Sequence, residues 1–356
     1  MAIINRKKIR KDVLELMDKR QRAQNRIIHN YFESNQDQKL FYQKVWKKIK
    51  TINESFLKRK INREEIRGLL TFEEKLLIAK LFRYEEDKLA EMYQKLNPIS
   101  NDMIIEKHSV ENFSVEWQIP PNIDDGLRIL YIHGGGFIIG SVNDHRLLTV
   151  EIAQQLHAKV LSVDYRLAPE YKFPTHLNDC VNAYKWLLSK KIKPSEIIIA
   201  GDSAGGNLTL TTLLKLKQDK LPSPRGAICI SPVTDLTFTD DSFYLNAETD
   251  PVLADKGIFW WTEAYIGNQK PTNPLISPLF GNLVALPPLL IQVSACEMLY
   301  GDSERFAIAA KAAGVDVTFE SWDNMLHVFQ SFGLKKLPEA KEAIKNMKKF
   351  VKKLYS

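Results

Sequence analysis

A serine set between two glycines, Gly201-Asp202-Ser203-Ala204-Gly205, directly follows the apolar run Ile197 to Ala200 and leads into a helical pattern. A chain can pass from strand to helix through so tight a turn only if the residues flanking the serine carry no side chain to clash with the crossing backbone. The turn strains the serine and lifts its hydroxyl clear of the sheet, which suits a nucleophile. A capping serine between glycines uses the same residue types, so the reading turns on what else the chain supplies. The pattern asks for a strand–turn–helix unit within an α/β layer and for reactive partners elsewhere in the sequence.

The partners are present. His133-Gly134-Gly135-Gly136 ends a second apolar, β-prone run, Leu127 to Ile132. Consecutive glycines expose backbone N–H groups, and beside a serine elbow such a loop donates to the oxyanion of a tetrahedral intermediate. Gly135 and Gly136 are the expected donors, with the N–H of Ala204 as the third. A phosphate loop is the alternative, but the segment has neither a Gly-Lys-Ser/Thr ending nor dinucleotide spacing. A serine hydroxyl needs a base, and the base needs an acid to fix its tautomer. Of the 7 histidines, His327 alone follows Ser203. The acid is expected between them, after the strand-like run 288–295. Glu297 comes straight off that run and is preferred. Asp302 competes, at a point where a helix is expected to begin at Ser303 and an aspartate would serve as its cap. Asp323 reads as a turn residue.

Together these residues resemble the hormone-sensitive-lipase-like branch of the α/β-hydrolase superfamily, which carries the His-Gly-Gly-Gly loop, a Gly-Asp-Ser-Ala-Gly elbow and a late histidine. The segments Tyr165 to Glu170 and Ser231-Pro232 through Asp235-Leu236 resemble that branch as well, over about residues 100–350. The resemblance implies an α/β-hydrolase fold and a carboxylesterase or lipase-like serine hydrolase, with Ser203, Glu297 and His327 as its triad and no metal or cofactor. One departure stands at the acid, where many members read Asp-Pro-Leu and this chain reads Glu297-Met298-Leu299. An amide deacetylase or acyltransferase shares every motif, and a non-catalytic small-ligand-binding protein shares the fold. Around the site, Asp202 is expected to orient the elbow and His133 to brace the glycine loop. His145 reads as structural, and Arg166 and Glu170 as pairing or capping residues.

From Leu127 onward, β-like runs at 127–132, 159–164, 196–200, 226–231, 288–295 and 315–321 alternate with helical ones. This predicts an α/β fold with a mostly parallel central sheet flanked by helices, its motif loops gathered at the carboxyl edge. Residues 1–100 read as a basic helical region, in which Val45, Ile49, Ile52 and Phe56 recur at the helical period. Residues 101–356 read as the catalytic domain. By the resemblance, the first region and an insertion near 237–274 form a helical cap. The insertion carries Phe259, Trp260, Trp261 and Tyr265, suited either to an acyl-binding wall or to packing of cap on core. A last helix is expected over Glu339 to Leu354.

At 356 residues with 44% apolar content, the chain accommodates one hydrolase core and a smaller addition. The 3 cysteines, Cys180, Cys229 and Cys296, have no pairing or metal-like spacing and read as buried residues of a reducing compartment, so a cytoplasmic location is expected. Neither a signal-peptide pattern nor an apolar run of spanning length is present. Residues 1–60 carry 17 Lys and Arg against 6 Asp and Glu, although the whole chain carries only +7. That local excess fits a solvated face or a peripheral membrane contact through Phe41, Trp46 and Phe56. No nucleic-acid-binding signature accompanies it.

Overall fold

The computed structural model describes residues 9–123, 126–332 and 336–355. Four helices come first: α1 (Lys11–Ser34), α2 (Gln36–Leu57), the short α3 (Arg63–Ile66) and α4 (Phe72–Leu96). Thr71 caps α4 in a reciprocal box with Glu74, which satisfies N–H groups that the helix cannot bond internally. Val45, Ile49, Ile52 and Phe56 form the buried stripe of α2.

The sheet has eight strands in the order β1-β2-β4-β3-β5-β6-β7-β8. They are β1 (Ile104–Val110), β2 (Phe113–Ile119), β3 (Arg128–Ile132), β4 (Lys159–Asp164), β5 (Ile197–Asp202), β6 (Gly226–Ile230), β7 (Leu289–Ser294) and β8 (Val317–Trp322). From β4 to β8 in the spatial order all neighbours are parallel, whereas β2 runs antiparallel to both β1 and β4. Strands β5, β6 and β7 are buried along their whole length, as expected of parallel strands covered on both faces. The covering helices are α5 (Val142–Leu156), α6 (Thr175–Ser189), α7 (Ala204–Gln218), α10 (Tyr300–Ala312) and α11 (Pro338–Tyr355), with α8 (Asp241–Leu245) and α9 (Ile258–Ile266) in the insertion after β6.

The N-terminal helices pack on that insertion. The ring of Phe56 meets those of Phe238, Phe243, Tyr244 and Phe259 at 5.9–6.2 Å, and the amide of Asn53 donates to the Ala254 carbonyl at 2.7 Å. Trp46 packs edge-on against Phe82, so of the three aromatics proposed for a membrane face only Phe41 lies exposed, beside Leu40. Phe56 is spent on the insertion. At the other end of this layer Val13 and Met17 of α1 join one apolar cluster with Met325, Leu326, Phe329 and Leu337. Among the described residues no helix is long and apolar enough to cross a membrane.

Candidate active site

The elbow is built as its glycines require. Ser203 sits between β5 and α7 at φ 53° and ψ −117°, a region costly to residues with a side chain. Its N–H is fixed to the Ile230 carbonyl at 2.8 Å. A Cβ on Gly205 would lie 2.0 Å from the Ile132 carbonyl oxygen, and one on Gly201 would lie 2.4 Å from that of Gly205. The turn therefore closes only with hydrogen at both positions.

His327 and Glu297 meet Ser203 in one line. The imidazole Nε2 lies 2.9 Å from Ser203 Oγ, and Nδ1 lies 3.2 Å from Glu297 Oε1. Both Glu297 and His327 are buried. Burial pulls the imidazole down, but Glu297, with further help from Asp250 and Asp202, holds it above its ordinary value. Burial likewise pushes the Glu297 carboxyl up, against the pull of His327. Glu297 also accepts from Ser231 Oγ at 2.8 Å and from the Ser294 N–H at 3.3 Å. Ser231 Oγ in turn accepts from the Val328 N–H at 3.3 Å, so one hydroxyl ties the acid to the histidine loop.

Asp302 lies apart from this line. Helix α10 starts at Tyr300 and not at Ser303, and the Asp302 carboxylate accepts from the N–H groups of Thr234 and Asp235 at 2.7 and 2.9 Å. It holds the loop after β6 and caps nothing. Burial pushes its carboxyl up to about 7.

The glycine loop is held against the elbow by Asp202. That carboxylate accepts from Tyr131 Oη at 2.8 Å and from the Gly134 N–H at 3.1 Å, and its other oxygen faces His145 Nε2 at 3.3 Å. His145 is pushed up to about 9 because Asp202 outweighs the effect of burial. His133 stacks on Tyr165 with ring centroids 4.2 Å apart, and burial lowers it to about 4. Gly135 and Gly136 have φ of 110° and 60°, and with Ala204 their N–H groups have no acceptor among the described residues.

The four aromatics of the insertion divide by face. Tyr265 stacks on Phe137 at 3.8 Å, Phe259 packs on Phe56, and Trp260 is fully buried. Trp261 lies against Gly136, where a Cβ would lie 1.8 Å from its ring. Arg166 pairs with Asp179 and Glu170 with Arg83, so the two do not pair with each other. Cys180 and Cys229 are buried, but Cys296 is half-exposed. Two contributors went unread in the sequence. Ser231 stands in the sequence only as part of the segment after β6, and nothing in the sequence singles out Asp250, whose carboxylate accepts from the Met298 N–H at 2.9 Å, one residue beyond Glu297.

Residues 129–331 match the family described as the alpha/beta hydrolase fold. An esterase of Acinetobacter venetianus is 40% identical over 227 residues, 64% of this chain and 75% of that protein. An acetyl-hydrolase of Streptomyces hygroscopicus is 36% identical over 262 residues, 74% of this chain and 86% of that protein. Among solved structures, an esterase from the bacterial hormone-sensitive lipase family superposes with a TM-score of 0.74 at 38% identity, covering 78% of this chain and 92% of its own. EstE5, soaked with p-nitrophenyl butyrate, gives 0.73 at 40% identity, covering 78% and 91%.

Proposed function

Because the chain belongs to the α/β-hydrolase superfamily, in its hormone-sensitive-lipase-like branch, and is a carboxylester hydrolase, we propose that it acts through a Ser203–His327–Glu297 triad and an acyl-enzyme intermediate. The observation that carries this reading is the single line of contacts, 2.9 Å from Ser203 Oγ to His327 Nε2 and 3.2 Å from Nδ1 to Glu297.

His327 Nε2 takes the proton as Ser203 Oγ attacks the ester carbonyl. The N–H groups of Gly135, Gly136 and Ala204 receive the charge that develops on the carbonyl oxygen. The imidazolium then protonates the leaving alkoxide, and an alcohol departs from the acyl-serine. Water, deprotonated by the same nitrogen, attacks the acyl carbon, and collapse returns Ser203 and a carboxylic acid. Glu297 keeps Nδ1 protonated and stabilises the imidazolium at each stage. The insertion, with α1–α4 packed on it, forms the cap over this chemistry. Trp261 lies against Gly136, and a wall so close to the proposed oxyanion donors favours short acyl chains. The names of two relatives, the acetyl-hydrolase above and an ethyl acetate hydrolase of Pseudomonas putida, accord with that size.

The test is hydrolysis of p-nitrophenyl esters from acetate to palmitate, with Ser203→Ala as control. Turnover is expected to peak at acetate or butyrate and to vanish in Ser203→Ala, whose fold is retained; activity in that variant equal to wild type would remove Ser203 from the mechanism. The base must be neutral to act, and His327 is held above its ordinary value. The acid limb of kcat/KM is therefore expected above about pH 6.5, the unperturbed histidine value.

A further inference from the structure

The loop that carries Glu297 is bound on its outer side by one short stretch of the insertion. Asn246 Nδ2 donates to the carbonyls of Glu297 and Ala295 at 2.9 and 3.3 Å. Thr249 Oγ1 lies 2.9 Å from the Cys296 carbonyl, with the Asn246 carbonyl second at 3.1 Å. Asp250 Oδ2 accepts from the Met298 N–H at 2.9 Å, while its Oδ1 accepts from Val252 and Leu253 at 2.9 and 3.0 Å. Every residue from Ala295 to Met298 thus has a backbone group taken by a side chain from a segment that lies between β6 and β7 in sequence but belongs to neither. Such a set is more than lid packing, because it fixes the peptide planes on both sides of Glu297.

The chemistry of Asp250 adds a second effect. Its side chain is 1% exposed and takes three backbone N–H bonds, an arrangement that favours a carboxylate. Burial works in the opposite direction and raises the carboxyl from its ordinary range, while the proximity of His327 draws it back. Asp250 acts on both members of the pair, raising Glu297 and supporting the charge on His327. The ionisable groups that face His327 are Glu297 from the loop after β7, Asp250 from the insertion and Asp202 from the end of β5.

Resting on the triad reading above, we propose that Asn246, Thr249 and Asp250 are positioning residues for Glu297, and that the Asp250 carboxylate is a second negative charge acting on His327 during ester hydrolysis. The insertion is then part of the catalytic support as well as a cover.

The test compares pH profiles of kcat/KM on p-nitrophenyl acetate for wild type, Asp250→Asn, Thr249→Val and Glu297→Gln. Asp250→Asn removes the charge with little change of shape, and its acid limb is expected at lower pH than that of wild type. Thr249→Val loosens the same segment without changing charge. Its kcat is expected to fall about fivefold, the worth of one hydrogen bond, with KM, acyl-length optimum and acid limb unmoved. An Asp250→Asn limb coincident with wild type would overturn the electrostatic part. An unchanged kcat in Thr249→Val, or an effect confined to KM or to chain length, would overturn the positioning part. Thr249→Val still decides that part if Asp250→Asn fails to fold. Wild-type rates in Glu297→Gln would mean that the triad reading itself is at fault; impaired Glu297→Gln beside both an unmoved Asp250→Asn limb and an unchanged Thr249→Val kcat would sink the inference and leave the triad reading standing.

Discussion

Four non-glycine residues around the site, Phe137, Ser203, Ser231 and Val328, hold φ between 48° and 68°. Such conformations each cost on the order of 1–3 kcal/mol and persist only where the surroundings enforce them. For Ser231 the enforcement is a 2.7 Å bond from its N–H to the Gln292 carbonyl, and the return is a hydroxyl shared by Glu297 and the histidine loop. Ser231→Ala is expected to lower kcat about tenfold with KM unchanged. Ser231→Gly, which relieves the backbone but loses the same hydroxyl, should show the same fall; recovery in the glycine variant would assign the effect to strain. A separate consequence belongs to His145. Its folded pKa of about 9 exceeds the ordinary histidine value, so its ion pair with Asp202 stabilises fully below about pH 6.5 and is lost as pH rises through 9. A fall in Tm between pH 6.5 and 9, flattened in His145→Gln, is the expected record in thermal melts.

At the scale of elements, the strands from β3 to β8 were legible because parallel strands covered on both faces are continuous apolar runs between turn signals. The hairpin β1–β2 was not. Six of the seven residues of β1 are exposed, so no buried alternation marks it, and only pairing to β2 makes it a strand. The serine, the histidine and the glycine loop could be read because each follows a strand and has few chemical substitutes. Asp250 could not, since its value lies in which N–H groups reach it across the fold. The aromatic cluster of the insertion was visible as composition, yet only the structure separates Trp261, against Gly136, from Phe259, Trp260 and Tyr265, which pack. Phe56 of α2 meets that insertion through four ring partners. Phe56→Ala is expected to destabilise by about 3–5 kcal/mol, measured by denaturant unfolding. A loss below about 1 kcal/mol would show that α2 rests on the insertion without holding it.

Across the whole molecule, the first helix supports the loop that carries His327. Val13 and Met17 of α1 pack with Met325, Leu326 and Phe329, the residues on either side of His327. Arg10 joins the same end of the chain to Glu339. Met17→Asp is expected to lower Tm and kcat together, because a buried charge there loosens the histidine loop. Leu40→Asp, on the exposed face of α2, should alter neither. A kcat that survived in Met17→Asp, alongside a lowered Tm, would separate α1 from the loop. The same cluster bears on how the enzyme is made. More than 300 residues separate Met17 from Met325, so at the usual 5–20 residues per second a ribosome needs roughly 15–60 s to deliver the partners of the first helix. During that interval Val13 and Met17 lack the late partners they have in the finished fold, and ester cleavage begins only when that late stretch of the polypeptide has emerged and folded back onto the first helix.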